Sequence, residues 1–366
     1  MTHLIPTSEA DLAEALQAAS APLAICGGQS KGITCDGAPL STTGMTGINE
    51  YEPGALTMIA KAGTPLAEIE AALDAEGQRL AFEPYDYQSM LGTTGTSTIG
   101  GVFAMNNSGS RRFQSGAARD FLLGVRFVDG TGQILKNGGR VMKNVTGYDL
   151  VKLLCGSFGT LGVMTEVAFK TLPKSETQTS LVLHGLSEDQ AVGALTRAVG
   201  SPFEVSGAVH LPFDAYGPKT VLRIEGFEKS VSYRLEQLQG LMGGYDHSHL
   251  EGAQSRALWS DIRALTPVSS KDDAIWKVSV KPTDGASVFQ KAGFTSGFMD
   301  WSGGLLWGSG DQSCDPRAAI TEGHATLIKG DHQPKFHPEN PLVAAYSAKI
   351  RQKFDPRGIL NQGLMG

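Results

Sequence analysis

The run Thr96-Ser97-Thr98-Ile99-Gly100-Gly101-Val102-Phe103-Ala104-Met105-Asn106-Asn107-Ser108-Gly109 combines small hydroxyl residues, a glycine pair and two asparagines. The glycines let the backbone approach another group closely, and the hydroxyls and amides add side-chain donors. A pyrophosphate or the edge of a flavin ring needs both. A tight turn inside a core is the plain alternative, but it leaves many polar groups in need of partners.

Toward the N-terminus, Gly27-Gly28-Gln29-Ser30-Lys31 follows an apolar strand from Leu23 to Cys26. Successive N–H groups in such a loop can form an anion-binding nest, although a strand ending in a Gly-Gly turn is also structurally ordinary. The loop fits neither the G-x-x-x-x-G-K-[ST] nor the G-x-G-x-x-G pattern, so nicotinamide binding has no local support. Toward the C-terminus, Lys143-Asn-Val-Thr-Gly147-Tyr-Asp-Leu precedes Gly156-Ser-Phe-Gly159-Thr-Leu-Gly162-Val163, a turn-rich segment that runs into a strand. Of 46 glycines, 15 lie between positions 91 and 165 without any repeat. That density asks either for many tight turns or for a ligand held against the backbone.

Around these loops the pattern is mixed α and β. Ser8 is placed to cap a helix with Asp11 reaching back, and Leu12, Ala15, Leu16 and Ala19 share one face. Leu56 to Ala62 alternates as a strand; Thr64 is expected to cap a helix with Pro65 at its first position and Gly77 closing it. Residues 121–135 read as a hairpin turning at Asp129-Gly-Thr-Gly132, Asp149 to Leu154 as a helical turn, and Val163 to Thr171 as a strand. Beyond about 175 glycine thins and strands alternate with helices, with helices at 187–199, 230–241, 254–265 and 340–354. That rhythm suits an antiparallel sheet covered by helices on one face.

The length, 366 residues, predicts a large domain plus a smaller one. Hydrophobic residues at 41% supply packed cores, and a net charge of −6 without basic runs argues against a nucleic-acid or anionic membrane surface. The first residues lack the basic and apolar regions of a signal peptide, and no apolar stretch is long enough to span a bilayer, so the expected compartment is the cytoplasm. Cys26, Cys35, Cys155 and Cys314 are too scattered for a metal knuckle; reduced, incidental thiols and no metal site are expected.

Taken in order, the three glycine-rich segments resemble the FAD domain of the vanillyl-alcohol oxidase superfamily, also called the PCMH type. Gly139-Arg-Val-Met-Lys-Asn-Val-Thr-Gly-Tyr-Asp-Leu, then Gly156 to Val163, then Phe354-Asp-Pro-Arg-Gly-Ile-Leu-Asn-Gln-Gly are similar to one family within it, the FAD-binding partner subunits of bacterial three-subunit glycolate oxidase (glycolate dehydrogenase) complexes. The likeness continues through Ile275-Trp276-Lys277-Val278-Ser279-Val280 and Gly323-His324-Ala325-Thr326-Leu327. The resemblance implies an α+β fold: a two-subdomain PCMH-type FAD-binding domain at 1–173, an α+β cap at 174–340 with an antiparallel sheet and helices, and a segment at 341–366 returning to the FAD domain. Carried over position by position, it implies FAD contacts at Gly27, Gly28, Gln29 and Ser30. It adds Thr98, Ile99, Gly100, Gly101, Asn106, Gly109, Ala117 and Asp120, then Gly156, Gly159, Gly162, Val163 and Asn361.

Two departures bear on chemistry. Relatives that attach FAD covalently through the first loop carry a histidine after the Gly-Gly pair, whereas Gln29 has no nucleophilic ring nitrogen; noncovalent FAD, removable by acid, is expected. The Gly-Asp-Gly-Asn-x-His segment of catalytic relatives that oxidise 2-hydroxy acids is missing. His324, with Glu322 nearby, is then the candidate base for a hydroxyl proton, against the plain reading of a hydrogen-bonded structural histidine. His332 and His337 are expected to be exposed, and metal binding by the three is not. Arg111 and Arg112 can clamp a small carboxylate, meet a FAD phosphate or stand in solvent; Trp276, Trp301 and Trp307 read as core or interface.

The resemblance implies one component of a glycolate-oxidising complex, with a catalytic FAD subunit and an iron–sulfur subunit as partners and membrane contact only through them, at the inner membrane. A stand-alone FAD-dependent 2-hydroxy-acid oxidoreductase and a flavin-poor structural component are the alternatives.

Overall fold

The computed structural model describes residues 3–32, 35–140, 147–269 and 271–365. Part of the 139–150 motif, residues 141–146, lies outside the described residues. Five strands form an antiparallel sheet in the order Ile48–Glu52, Thr57–Lys61, Val163–Lys170, Leu122–Val128, Ile134–Gly138. Met58, Phe127, Val167 and Phe169 pack from it against Ile69 and Leu73 of the helix Leu66–Ala75 and against Val102 and Phe103 of the helix Ile99–Ala104. The last two strands before Gly138 are the expected hairpin.

A second, smaller layer holds the parallel pair Leu23–Cys26 and Ala38–Ser41. Leu12 and Leu16 of the helix Glu9–Ala18 pack there beside Ile359 and Leu360, and the Leu23 N–H donates to the Ile359 carbonyl at 2.8 Å. The end of the chain thus joins its beginning. Two local details differ from expectation. Ser8 caps the helix, but the Asp11 carboxylate accepts from Thr7 rather than from Ser8. Pro65, not Thr64, occupies the cap of the next helix, because the Thr64 hydroxyl is held by Gly47 and the Lys61 carbonyl.

The second half builds an eight-stranded antiparallel sheet. Its order is His247–Glu251, Thr177–His184, Lys219–Gly226, Val205–Leu211, Ser296–Asp300, Leu305–Gly310, Ala274–Val280, Gly323–Lys329. Alternate residues sort to its two faces. Leu181, Leu222 and Trp276 lie under the helices Glu188–Val199, Glu228–Leu241 and Pro282–Lys291. Val182, Val221, Ile275 and Trp307 face Tyr85, Tyr87 and Met90 of the first half, together with Trp259 of the helix Gly252–Arg263. Helices therefore cover both faces, not one. The strand Leu305–Gly310 was not legible because both of its faces are buried, which erases the polar alternation. Trp276 and Trp307 are core residues, as expected. All four cysteines are free thiols.

Candidate cofactor cleft and active site

The cleft lies where the parallel strand pair meets the amino end of the helix Ile99–Ala104. Its volume is about 490 Å³, and Gly27, Gly28, Gln29, Ser30, Lys31, Thr98, Gly101, Phe158 and Asn361 are among the residues that line it. A small cavity sharing Ile25, Gly27, Gly101 and Phe158 with it is lined by Gly100, Gly159, Gly162 and Val163. The space is shaped by the absence of side chains. A Cβ on Gly28 would stand 2.0 Å from the Thr96 carbonyl oxygen, and one on Gly27 2.4 Å from Thr98 Oγ1. Gln29 takes a positive φ of 55°, which carries the loop around the cleft.

Eleven of the seventeen expected cofactor positions thus line these two adjoining spaces: Gly27, Gly28, Gln29, Ser30, Thr98, Gly100, Gly101, Gly159, Gly162, Val163 and Asn361. Ile99, Asn106, Gly109, Ala117, Asp120 and Gly156 do not line them. The Ile99 side chain is core, and the N–H groups of Ile99 and Gly100 donate to the carbonyls of Thr64 and Ala62. Asn106 Oδ1 accepts from the Arg119 N–H, Asp120 accepts from the Ala117 N–H, and the Gly156 N–H donates to Phe103. Gly109 lies against Glu83, and its carbonyl accepts from Trp301 Nε1 at 2.9 Å. These residues brace the wall.

A narrow, largely apolar cleft floored by glycines suits a dinucleotide with a flat ring system. The residues fit FAD: loop backbone for the phosphates, apolar Ile25, Met105 and Phe158 for the rings, and Lys31 as a cation. Sequence reasoning passed over Lys31 as part of a loop; its burial was not visible there.

Beyond the cleft, the face of the large sheet that looks toward the first half carries cations. Lys277 and His324 lie on neighbouring strands on this face, where Lys277 pairs with Thr326 and Ser279 with His324. Burial, and then Arg112, pull the Lys277 pKa down to about 8. His324 keeps solvent access on one side; enclosure on the other lowers its pKa, and Lys277, His337 and Arg112 add repulsion. The imidazole is thereby biased toward its neutral form. Arg112 stacks on Trp301 at 4.2 Å. Among the described residues no carboxylate forms an ion pair with Arg112, Lys277, His324 or His337, whereas Glu322 pairs with Lys281 instead of His324. His332 and His337 are half-buried rather than exposed, because His332 packs 5.5 Å from the Trp276 ring and beside Asp315. Among the described residues no group of three or more His, Cys, Asp or Glu is placed to hold a metal.

Arg111 points the other way, into a buried ladder. It meets Glu83 at 2.7 Å and Glu225 at 2.8 Å; Glu225 also binds Arg79, and Glu83 binds Arg223. This network joins the two halves of the chain and carries one more positive than negative charge. Asp300 makes a second link, accepting from Tyr85 Oη and Ser110 Oγ at 2.5 Å each; burial raises its pKa to about 6.

Residues 3–138 match the family model described as the FAD binding domain. The chain is 34% identical over 368 residues to glycolate oxidase subunit GlcE of Escherichia coli (strain K12), covering 98% of this chain and 97% of that protein. The chain belongs to the GlcE family of glycolate oxidase subunits. A shorter match, 36% identical over 158 residues, links 43% of this GlcE-type chain to 32% of glycolate oxidase subunit GlcD of Bacillus subtilis (strain 168). The fold is shared with alkyldihydroxyacetonephosphate synthase, with a TM-score of 0.69 at 16% identity over 98% of this chain and 76% of that one. It is also shared with a VAO-type flavoprotein of Myceliophthora thermophila C1, with a TM-score of 0.65 at 14% identity over 97% and 77% of the two chains. The GlcE-type chain is thus an FAD-dependent oxidoreductase of the PCMH-type, α+β fold with a cap domain. Among the described residues no helix is long and apolar enough to cross a membrane.

Proposed function

We propose that this chain acts as the FAD-binding subunit of a cytoplasmic complex that oxidises glycolate to glyoxylate and passes the electrons to an iron–sulfur partner at the inner membrane, with a second, catalytic FAD subunit in the assembly. The carrying observation is the near full-length match to a glycolate oxidase subunit together with a glycine-floored cleft for FAD. The FAD is noncovalent, because Gln29 stands where a linking histidine would be. Bound FAD supplies a two-electron acceptor. The contacts are proposed at the residues lining the two spaces, with Asn106, Ala117, Asp120 and Gly156 positioning them. The boundaries are proposed at 173/174 and 340/341, supported by Leu172–Pro173 being the last strand paired with the first half and by Leu360 rejoining Leu23. The helix Pro341–Phe354 buries no residue and exposes Leu342, Val343 and Tyr346, an apolar row of the kind that another protein chain covers.

A second reading is favoured by the unpaired cations beside His324: a 2-hydroxy acid is oxidised on this chain itself. Arg112 and Lys277 are suited to a small carboxylate, and the neutral His324 is suited to take the hydroxyl proton. The chain purified alone, assayed for acid-released flavin and then mixed with glycolate without oxygen, separates the readings. Stoichiometric FAD that stays oxidised supports the partner role. Bleaching that His324→Ala abolishes supports catalysis here, and a colourless chain overturns both.

A further inference from the structure

Lys31 is the only charged residue among the described residues that line the main cleft. It is 8% exposed, and among the described residues its side chain makes one hydrogen bond, from Nζ to Ser97 Oγ at 3.3 Å. No carboxylate lies within ion-pair distance of Nζ among the described residues. The ammonium stands at the amino end of the helix Ile99–Ala104, 3.4 Å from where a Cβ on Gly101 would be. Burial pulls its pKa down to about 8, and Asp86 is too weak an opposing charge to prevent this. A desolvated ammonium without a counter-charge is costly, and a ligand carrying negative charge relieves that cost.

Lys335 lies near Cys35 at the edge of the cleft and lines an adjoining cavity rather than the cleft itself. Arg111 serves the buried ladder, Arg112 stacks on Trp301, and Arg119 donates to the Cys155 carbonyl at 2.7 Å. FAD brings a doubly charged pyrophosphate into a cleft whose other polar groups are neutral. We propose that Lys31 is the counter-charge of the FAD pyrophosphate: its Nζ, poised unpaired in the cleft, forms an ion pair with a phosphate oxygen, while neutral donors of the cleft complete the contact. The inference rests on FAD as the cofactor and is independent of substrate and of partner chains.

Two consequences follow from the charge. Binding depends on the phosphates, not on the ring. Binding also carries a proton: above pH 8 the empty cleft holds mostly neutral amine, and pairing with phosphate raises the pKa, so FAD binding takes up a proton there and none near pH 6.5.

Flavin is released by acid from the full-length chain, and the apoprotein is titrated with FAD, ADP and riboflavin by fluorescence, for wild type, Lys31→Met and Lys31→Arg. Lys31→Met is expected to weaken FAD and ADP by about 10- to 100-fold, leave riboflavin unchanged, and be largely rescued by Lys31→Arg. Equal loss for riboflavin, or wild-type affinity for FAD in Lys31→Met, overturns the proposal. Should Lys31→Met fail to fold by circular dichroism, calorimetry of wild-type FAD binding in buffers of different ionisation enthalpy decides. Proton uptake at pH 9 that is absent at pH 6.5 sustains the ion pair, and equal uptake at both overturns it.

Discussion

Asn361 grips Ile25 by both ends of its amide: Oδ1 accepts from the Ile25 N–H at 2.6 Å, and Nδ2 donates to the Ile25 carbonyl at 3.3 Å. The same Nδ2 donates to the Phe158 carbonyl at 2.7 Å. One side chain near the end of the chain therefore ties the strand before the Gly27-Gly28 loop to the third glycine segment. Asn361 itself sits at a φ of 44°, a region that asparagine tolerates better than most residues.

Asn361→Leu strands the Ile25 N–H and the Phe158 carbonyl without partners. The expected cost is about 2 kcal/mol of stability by urea unfolding, with loss of flavin on gel filtration. Full flavin content and unchanged stability would contradict the role given to this amide.

Gly28→Ala drives a methyl group to 2.0 Å from the Thr96 carbonyl, so the loop has to move. The variant is expected to stay folded by circular dichroism, because the loop borders an open cleft, and to purify with little flavin. Gly54→Ala, at a site where a Cβ meets nothing within 4 Å, is the control that keeps its flavin.

Glu225→Ala leaves Arg79, Arg111 and Arg223 facing one another with only Glu83 between them. Breaking a buried pair in this way costs about 3–5 kcal/mol. The pH dependence has a definite sign. Burial pushes the Glu225 pKa up, but Arg223, Arg111 and Arg79 outweigh it and hold the carboxyl well below its usual value; Glu83 is lowered in the same way by Arg111 and Arg223. Both carboxylates therefore stabilise the fold above pH 4.5, and that stability is lost as pH falls further. Acid unfolding of Glu225→Ala should show a shallower pH dependence than the wild type.

Lys277→Met removes one of the cations that repel a proton from His324. The His324 pKa is expected to rise toward its ordinary value, as read by imidazole resonances in an NMR titration, and Arg112→Ala should move it in the same direction. The sign for stability is opposite to that of a charged partner. With its folded pKa depressed, His324 opposes folding as pH falls below about 6.5, and Lys277→Met should lessen that loss. A His324 pKa unmoved by both substitutions would place the histidine away from this cluster.

Much of the architecture was legible locally. Helix faces such as Leu12 and Leu16, the helix Glu188–Val199, the hairpin at Asp129 to Gly132 and the glycine loops each depend on residues within a few positions of one another. Periodicity, capping chemistry and left-handed glycines act at that range, so the sequence by itself determined the mixed pattern of helices and strands, the glycine-rich loops and the glutamine in place of a linking histidine. What only the tertiary structure decided joins distant positions. Lys31 meets Ser97 across 66 positions and Arg79 meets Glu225 across 146; His324 comes beside Lys277 and Arg112 through strand pairing and the seating of the cap. Whether an arginine is ion-paired in a buried ladder, like Arg111, or stacked on an indole, like Arg112, follows from which partners the fold places within a few ångströms. Coulomb energy and desolvation depend on that distance and burial, and neither is written in the spacing of residues along the chain.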